Sequence, residues 1–247
     1  MNRPDSAVLR ELAPTGTLRA AINYGNPVLA QKVPGIDQPQ GVSVDLAREL
    51  ARRLDLKLEF VTFDAAGKVF EALQSGAWDI AFLARDPVRA AEIDFTAPYV
   101  IIEASYRVRN ASPHTAVGDL DREGVRIAVG KGAAYDLYLT RALKHAQLVR
   151  APTSSEAIEL FISEGLDAVA GVRQPLEAYA RNNPRLRVID GRFTAVEQAM
   201  GTPVGRPAAA AYLSEFIEEM KGSGFVATAL ALSGQSAASV APLTDHG

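Results

Sequence analysis

The order of apolar and punctuating segments predicts an α/β protein of two lobes, each a mostly parallel sheet with flanking helices, joined by two crossover strands. Three observations carry that expectation. Short apolar or alternating runs exchange with helical periodicity from Leu18 to Leu83 in the order βαβαβ. The same grammar returns between Val125 and Gly171, where ELFISEGLDAVAGV (Glu159 to Val172) repeats the layout of EALQSGAWDIAFLA (Glu71 to Ala84): helix, Gly turn, then an Asp-led apolar strand. Between the halves lies a long β-rich segment, Tyr99 to Val108, suited to a strand that leaves one lobe for the other.

In chain order, Leu18 to Asn23 reads as the first strand and ends in the turn Tyr24-Gly25-Asn26-Pro27. Pro34 to Gln40 is a loop. Val44 to Leu54 has apolar residues at helical spacing, with Ser43 as its N-cap. Leu56 to Phe60 alternates like a strand near a sheet edge. A helix from Gly67 to Leu73 stops at Ser75-Gly76, and the run Ile80 to Leu83 reads as a buried parallel strand. Polar chemistry follows at once in Arg85, Asp86 and Arg89, around a helix start at Pro87. In the second half, strands at Val125 to Val129, Gln147 to Arg150 and Asp167 to Gly171 alternate with helices at Ala133 to Leu143 and Ser155 to Ser163. Ala195 to Pro203 returns the chain to the first lobe, where Ala208 to Lys221 and Phe225 to Leu232 are helices. From Ser233 onward the small polar composition reads as a loose tail. The expected division is residues 1–105 with 201–247 for lobe 1 and 106–200 for lobe 2.

Composition removes several functions. With 247 residues, 48% hydrophobic, 22% charged and a net charge of -3, the chain is an ordinary globular protein without a basic surface for nucleic acid or anionic membrane. No apolar run approaches the roughly 20 residues of a membrane span. The lack of cysteine removes disulfides, thiolate nucleophiles and cysteine zinc sites. His114, His145 and His246 have no metal spacing and read as surface residues, and no GxSxG nucleophile motif occurs. Glu218-Glu219 reads as a solvated helix face. No cofactor is implied.

A strand ending in charge at its carboxyl edge is where open α/β sheets place ligands. Arg85 and Arg89 follow the strand Ile80 to Leu83, and a guanidinium offers paired donors to a carboxylate, so Arg89 is the expected anchor of an acidic ligand group. Two helix starts, Ala65-Ala66-Gly67-Lys68 and Gly130-Lys131-Gly132-Ala133-Ala134, are the other candidate anion sites. Neither has the GxxxxGK[ST] pattern of a nucleotide-binding loop.

Taken together, GVSVDLARELARRL (Gly41 to Leu54), ALQSGAWDIAFLARDPVRAAEIDFTAPY (Ala72 to Tyr99) and GVRIAVGKGAAYDLYL (Gly124 to Leu139) resemble the family 3 extracellular solute-binding proteins, receptors of polar amino-acid ABC transporters. The resemblance covers nearly the whole chain and implies a periplasmic binding protein-like II fold. It implies a monomer whose two lobes close over a small-molecule ligand, with an ABC transporter permease as partner and no nucleic acid or membrane insertion. It also implies a periplasmic place for a chain whose leader has been removed. Met1 to Gly16 has no apolar core of a signal peptide, which as written reads as cytoplasmic.

Carried over by position, the resemblance gives Arg89 the ligand α-carboxylate. Ala84 stands where the family has a ligand-touching Thr or Ser, and Phe82 where it has Gly or Ser. Gly132-Ala133-Ala134 matches a GTT-type turn whose amides would survive without the hydroxyls. Val172, followed by Arg173, takes the place of the acid that pairs with the ligand's α-ammonium. The expected ligand residues are Tyr24, Asn26, Lys68, Phe82, Ala84, Arg85, Arg89, Lys131, Ala133, Ala134, Tyr135 and Arg173. An ammonium enclosed without its acid costs roughly 3–5 kcal/mol, about 10²–10³-fold in affinity, unless another carboxylate, for example Asp86, Asp136 or Glu197, compensates. The expected ligand is therefore a carboxylate or other small anion lacking an α-ammonium. Two other readings are a dehydratase for cyclohexadienyl acids on the same scaffold, with Glu197 or Asp136 as general acid, and a cytoplasmic orphan binding protein.

Overall fold

The computed structural model describes residues 5–244. In chain order the elements are α1 (Ser6–Leu12), β1 (Thr17–Asn23), α2 (Val42–Leu54), β2 (Lys57–Phe63), α3 (Ala66–Glu71), β3 (Ile80–Ala84), α4 (Pro87–Ala90) and β4 (Ile93–Arg109). There follow β5 (Arg126–Gly130), α5 (Ala134–Ala142), β6 (Gln147–Ala151), α6 (Ser154–Ser163), β7 (Ala168–Val172), α7 (Arg173–Arg181) and β8 (Leu186–Val188). The chain closes with β9 (Thr194–Pro203), α8 (Pro207–Gly222), α9 (Phe225–Leu232) and β10 (Ser239–Val240). It forms two compact units: one takes the residues up to Phe63, Lys68–Ile101 and those from Glu197 onward, the other Asp64–Gly67 and Ile102–Val196.

In the first unit β2, β1 and β3 run parallel, and β9 joins β3 antiparallel, with Ala81 opposite Gly201 and Ala84 opposite Gln198. All five residues of β3 are buried, as its unbroken apolar run requires. Trp78, just before it, is buried too and donates from Nε1 to the Val69 carbonyl at 2.9 Å. The second unit repeats the plan, with β5 between parallel partners β6 and β7, and β4 antiparallel to β7 and β8. The sequence repeat has a shared hydrogen-bond device. Asp79 N–H donates to the Arg19 carbonyl and its carboxylate accepts from Arg19 N–H; Asp167 makes the same pair of bonds with Arg126.

Some expectations are corrected. Ser43 is not the N-cap of α2: Gly41 holds that place at φ 117°, where a side chain would stand 2.5 Å from the Leu29 carbonyl oxygen. Ser43 lies inside the helix, buried, with its hydroxyl 3.1 Å from that of Tyr99. The segment after Ser233 is not loose through its described part. β10 pairs with β4, Lys221 Nζ donates to Pro242 O, and Glu218 accepts from Thr244, so Glu218 is not a solvated acid either. Its neighbour Glu219 pairs with Arg53 at 2.7 Å. Helices α1 and α7 are additional to the expected elements; α1 is capped by Asp5 and packs on α8. His246 lies outside the described residues, His114 is half-buried and His145 exposed.

Candidate functional site

In the first unit the candidate residues gather at the carboxyl end of β3. Asp86 caps α4 by accepting from Val88 N–H, and Pro87 starts the turn, so Arg89 is carried back over the strand end. Arg89 is only 1% exposed and donates from Nη1 to the Ala84 carbonyl at 2.9 Å. Burial lowers its pKa to about 10 while the nearby Asp86 raises it, which leaves the guanidinium charged at neutral pH. Phe82 and Ala84 are both buried on one face of β3, and the Phe82 ring meets Tyr99 edge-on at 6.1 Å. Arg85 is exposed and 3.6 Å from Glu197, with its N–H donating to the Glu197 carbonyl. At the end of β1, Asn26 is buried, its side-chain oxygen accepting from Val28 N–H. Tyr24 is half-buried, and desolvation pushes its phenol pKa up. Lys68 is an exposed residue of α3.

In the second unit the candidate residues lie on the turn from β5 into α5. Gly132 takes φ +71°, and its N–H donates to Asp136 Oδ2 at 2.8 Å. Asp136 is buried, and its other oxygen accepts from Arg150 Nε at 2.9 Å. Ala133 N–H donates to the Gly130 carbonyl. Two amides of this turn are thus used inside it. Ala134 opens α5, Lys131 is exposed, and the buried Tyr135 phenol lies 2.6 Å from Ser154 Oγ, with burial holding its pKa up at about 12.

Two candidate anion sites that are distant in sequence meet here. The segment Asp64–Gly67 groups with the second unit, and a Cβ on Gly67 would stand 2.9 Å from the Lys131 carbonyl oxygen. A Cβ on Gly132 would stand 2.8 Å from Gly67 Cα, so both glycines are needed for this backbone approach. Arg173 is not an uncommitted cation. It pairs with Glu103 at 3.1 Å and Glu177 at 3.3 Å and donates to the Gly191 carbonyl, while Arg192 shares Glu103. The Asp136–Arg150 brace and the Glu103 cluster were missed from sequence. An Asp four residues after a turn glycine was the available signal for the first; the second joins distant segments and had none.

Among the described residues no group of acidic or histidine side chains could hold a metal, and no helix is long and apolar enough to cross a membrane. Three carboxylates named as able to compensate an ammonium have partners: Asp86 with Val88, Asp136 with Gly132 and Arg150, Glu197 with Arg85.

Comparison with known proteins gives consistent likenesses. The pattern of the bacterial extracellular solute-binding proteins, family 3, matches residues 18–231. A putative amino-acid ABC transporter-binding protein of Vibrio harveyi is 31% identical over 105 residues, a match spanning 42% of each chain. The solute receptor for L-cysteine of Neisseria gonorrhoeae superposes with a TM-score of 0.79 at 23% identity, covering 92% of this chain and 93% of that one. An amino acid ABC transporter substrate-binding protein of Streptococcus pneumoniae bound to L-arginine gives 0.77 at 22% identity, over 91% and 97%. An ancestral amino-acid-binding protein, a precursor of cyclohexadienyl dehydratase, gives 0.75 at 26% identity, over 91% and 98%.

Proposed function

Because the chain belongs to the bacterial extracellular solute-binding proteins, family 3, we propose that it is a solute receptor for ABC-type uptake whose ligand is a carboxylate or other small anion rather than a standard α-amino acid. An imbalance of charge carries this reading. The first unit keeps the buried guanidinium of Arg89, whereas Val172 stands where the family resemblance expects the acid for an α-ammonium. Asp86, Asp136 and Glu197, three carboxylates that could take its place, already have partners of their own, which supports the same reading. The similar proteins named for L-arginine and L-cysteine support a role in uptake; the site residues support a different ligand.

In this reading Arg89 anchors the ligand's acid group, with Tyr24, Phe82 and Ala84 shaping the space beside it. The twelve expected ligand residues stay proposals, and Arg173 among them acts through the Glu103 cluster. The receptor works as a monomer outside the cytoplasm, delivers to a permease, and captures its solute by closing the two lobes at the divisions near residues 105 and 200. Small-angle scattering would read that closure as a ligand-dependent fall in radius of gyration. The dehydratase reading draws on the ancestral precursor among the similar structures. It is disfavoured because both proposed general acids, Asp136 and Glu197, are tied to arginines.

Native mass spectrometry of freshly purified protein identifies a co-purified acid, and calorimetry then compares α-amino acids with the same acids lacking the amine. The amine-free acids should bind about tenfold or more tightly, and Arg89→Ala should weaken them about 10²-fold or more with the fold intact by circular dichroism. Tight binding of an ordinary α-amino acid overturns the ligand class. Undiminished binding in Arg89→Ala overturns the anchor.

A further inference from the structure

The second unit buries a cation that has no acceptor among the described residues. Arg107 lies in β4 opposite Val169 and Val188, is 0% exposed, and has no hydrogen-bond partner at Nε, Nη1 or Nη2. Its guanidinium carbon is 4.1 Å from the centroid of the Tyr179 ring and 6.0 Å from that of Phe161. Arg109, two residues along the same face, sits 4.6 Å from the Phe161 centroid, but its donors are taken by the carbonyls of Leu166 and Phe161. Two positive charges therefore share one ring, and only one of them is satisfied. The acidic side chains of the covering helices do not relieve this: Glu177 pairs with Arg173, and Glu156, Glu159 and Glu164 are exposed.

Aromatic faces return about 2 kcal/mol to a desolvated cation, whereas an unpaired buried ion costs several. Deprotonation does not remove the charge, since burial lowers the Arg107 pKa only to about 10. Water would satisfy the donors and leave the charge. The rings lie against the guanidinium, and its donors all point outward in its own plane, so an acceptor is needed at the edge. Complete enclosure restricts that acceptor to something close to a single atom. We infer that Arg107 anchors a buried site for a small inorganic monoanion of the halide class, chloride being the simplest occupant, between β4, α6 and α7. This site is separate from the Arg89 anchor and does not depend on the ligand proposed above.

Crystals grown in sodium bromide and measured at the bromine absorption edge test it directly. The expected result is an anomalous peak in hydrogen-bonding contact with the Arg107 guanidinium. Ordered water alone at that edge, or a direct bond from Arg107 to Gln174 Oε1, which is also buried without a partner among the described residues, overturns it. In solution, chloride is exchanged for gluconate at constant ionic strength. The unfolding equilibrium constant of the natural protein should fall about tenfold per tenfold rise in chloride above its dissociation constant, and that of Arg107→Met should stay flat. Equal slopes for the two proteins overturn the inference; should Arg107→Met fail to fold, the bromide map decides alone.

Discussion

Replacing Asp79 by alanine isolates the polar knot at the head of β3. Asp79 is wholly buried, and its carboxylate accepts from Arg19 N–H, Nε and Nη2 and from Arg206 Nη1 at 2.9–3.2 Å. Removing one partner of a buried ion pair costs about 3–5 kcal/mol, because the charge left behind keeps its desolvation penalty. Arg19 and Arg206 are 22% and 23% exposed, so part of their hydration returns and the lower end, about 3 kcal/mol, is expected. Arg206 also donates to the Glu11 carbonyl, and Glu11 caps α8 through Ala209 N–H, so the loss should extend to the α1–α8 contact. Urea unfolding at neutral pH measures the change, and a cycle with Arg19→Ala measures the coupling. A loss under about 1 kcal/mol, or no coupling, would refute the argument that this carboxylate is held by its arginines.

Two further predictions follow from single carboxylates. Glu49 accepts from Arg52 and then Arg53, which hold its carboxyl at about 2 against an ordinary 4.5. A depressed folded pKa contributes stability above the unfolded value and loses it as pH falls. Glu49→Gln should therefore cost about 1 kcal/mol at neutral pH, discounted for the 64% exposed Arg52, with the difference vanishing between about pH 5 and pH 2; a gap independent of pH would contradict the ion-pair origin. Asp136→Ala should speed hydrogen exchange at the Gly132 amide and cost about 2 kcal/mol, since a buried charged acceptor is lost from both the amide and Arg150. Unchanged protection at Gly132 would mean that the turn holds its shape without the brace.

Much of the fold was legible because its signals are local. The all-buried strand Ile80 to Ala84, the Pro87 helix start and the Gly76 stop each follow from a few adjacent residues. What escaped depended on contacts distant in sequence. Ser43 has the chemistry of an N-cap, but the close approach of Gly41 to Leu29 sets the helix start two residues earlier. The small residues after Ser233 carry no apolar period, yet Ala241 is buried and its N–H reaches the Tyr99 carbonyl. The anchor role proposed for Arg89 was readable from its place after a strand. That the amides of Gly132 and Ala133 are spent within their own turn was not readable, because it depends on the side chain of Asp136 folding back.

The twin bonds of Asp79 with Arg19 and of Asp167 with Arg126 act as alignment pins. A strand displaced by one residue turns its entire core-facing set toward solvent. In each unit such a slip would also strand a carboxylate that had been matched to one backbone amide of the neighbouring strand. The pins sit where β3 and β7 begin, so each resists a register slip of its strand against β1 or β5.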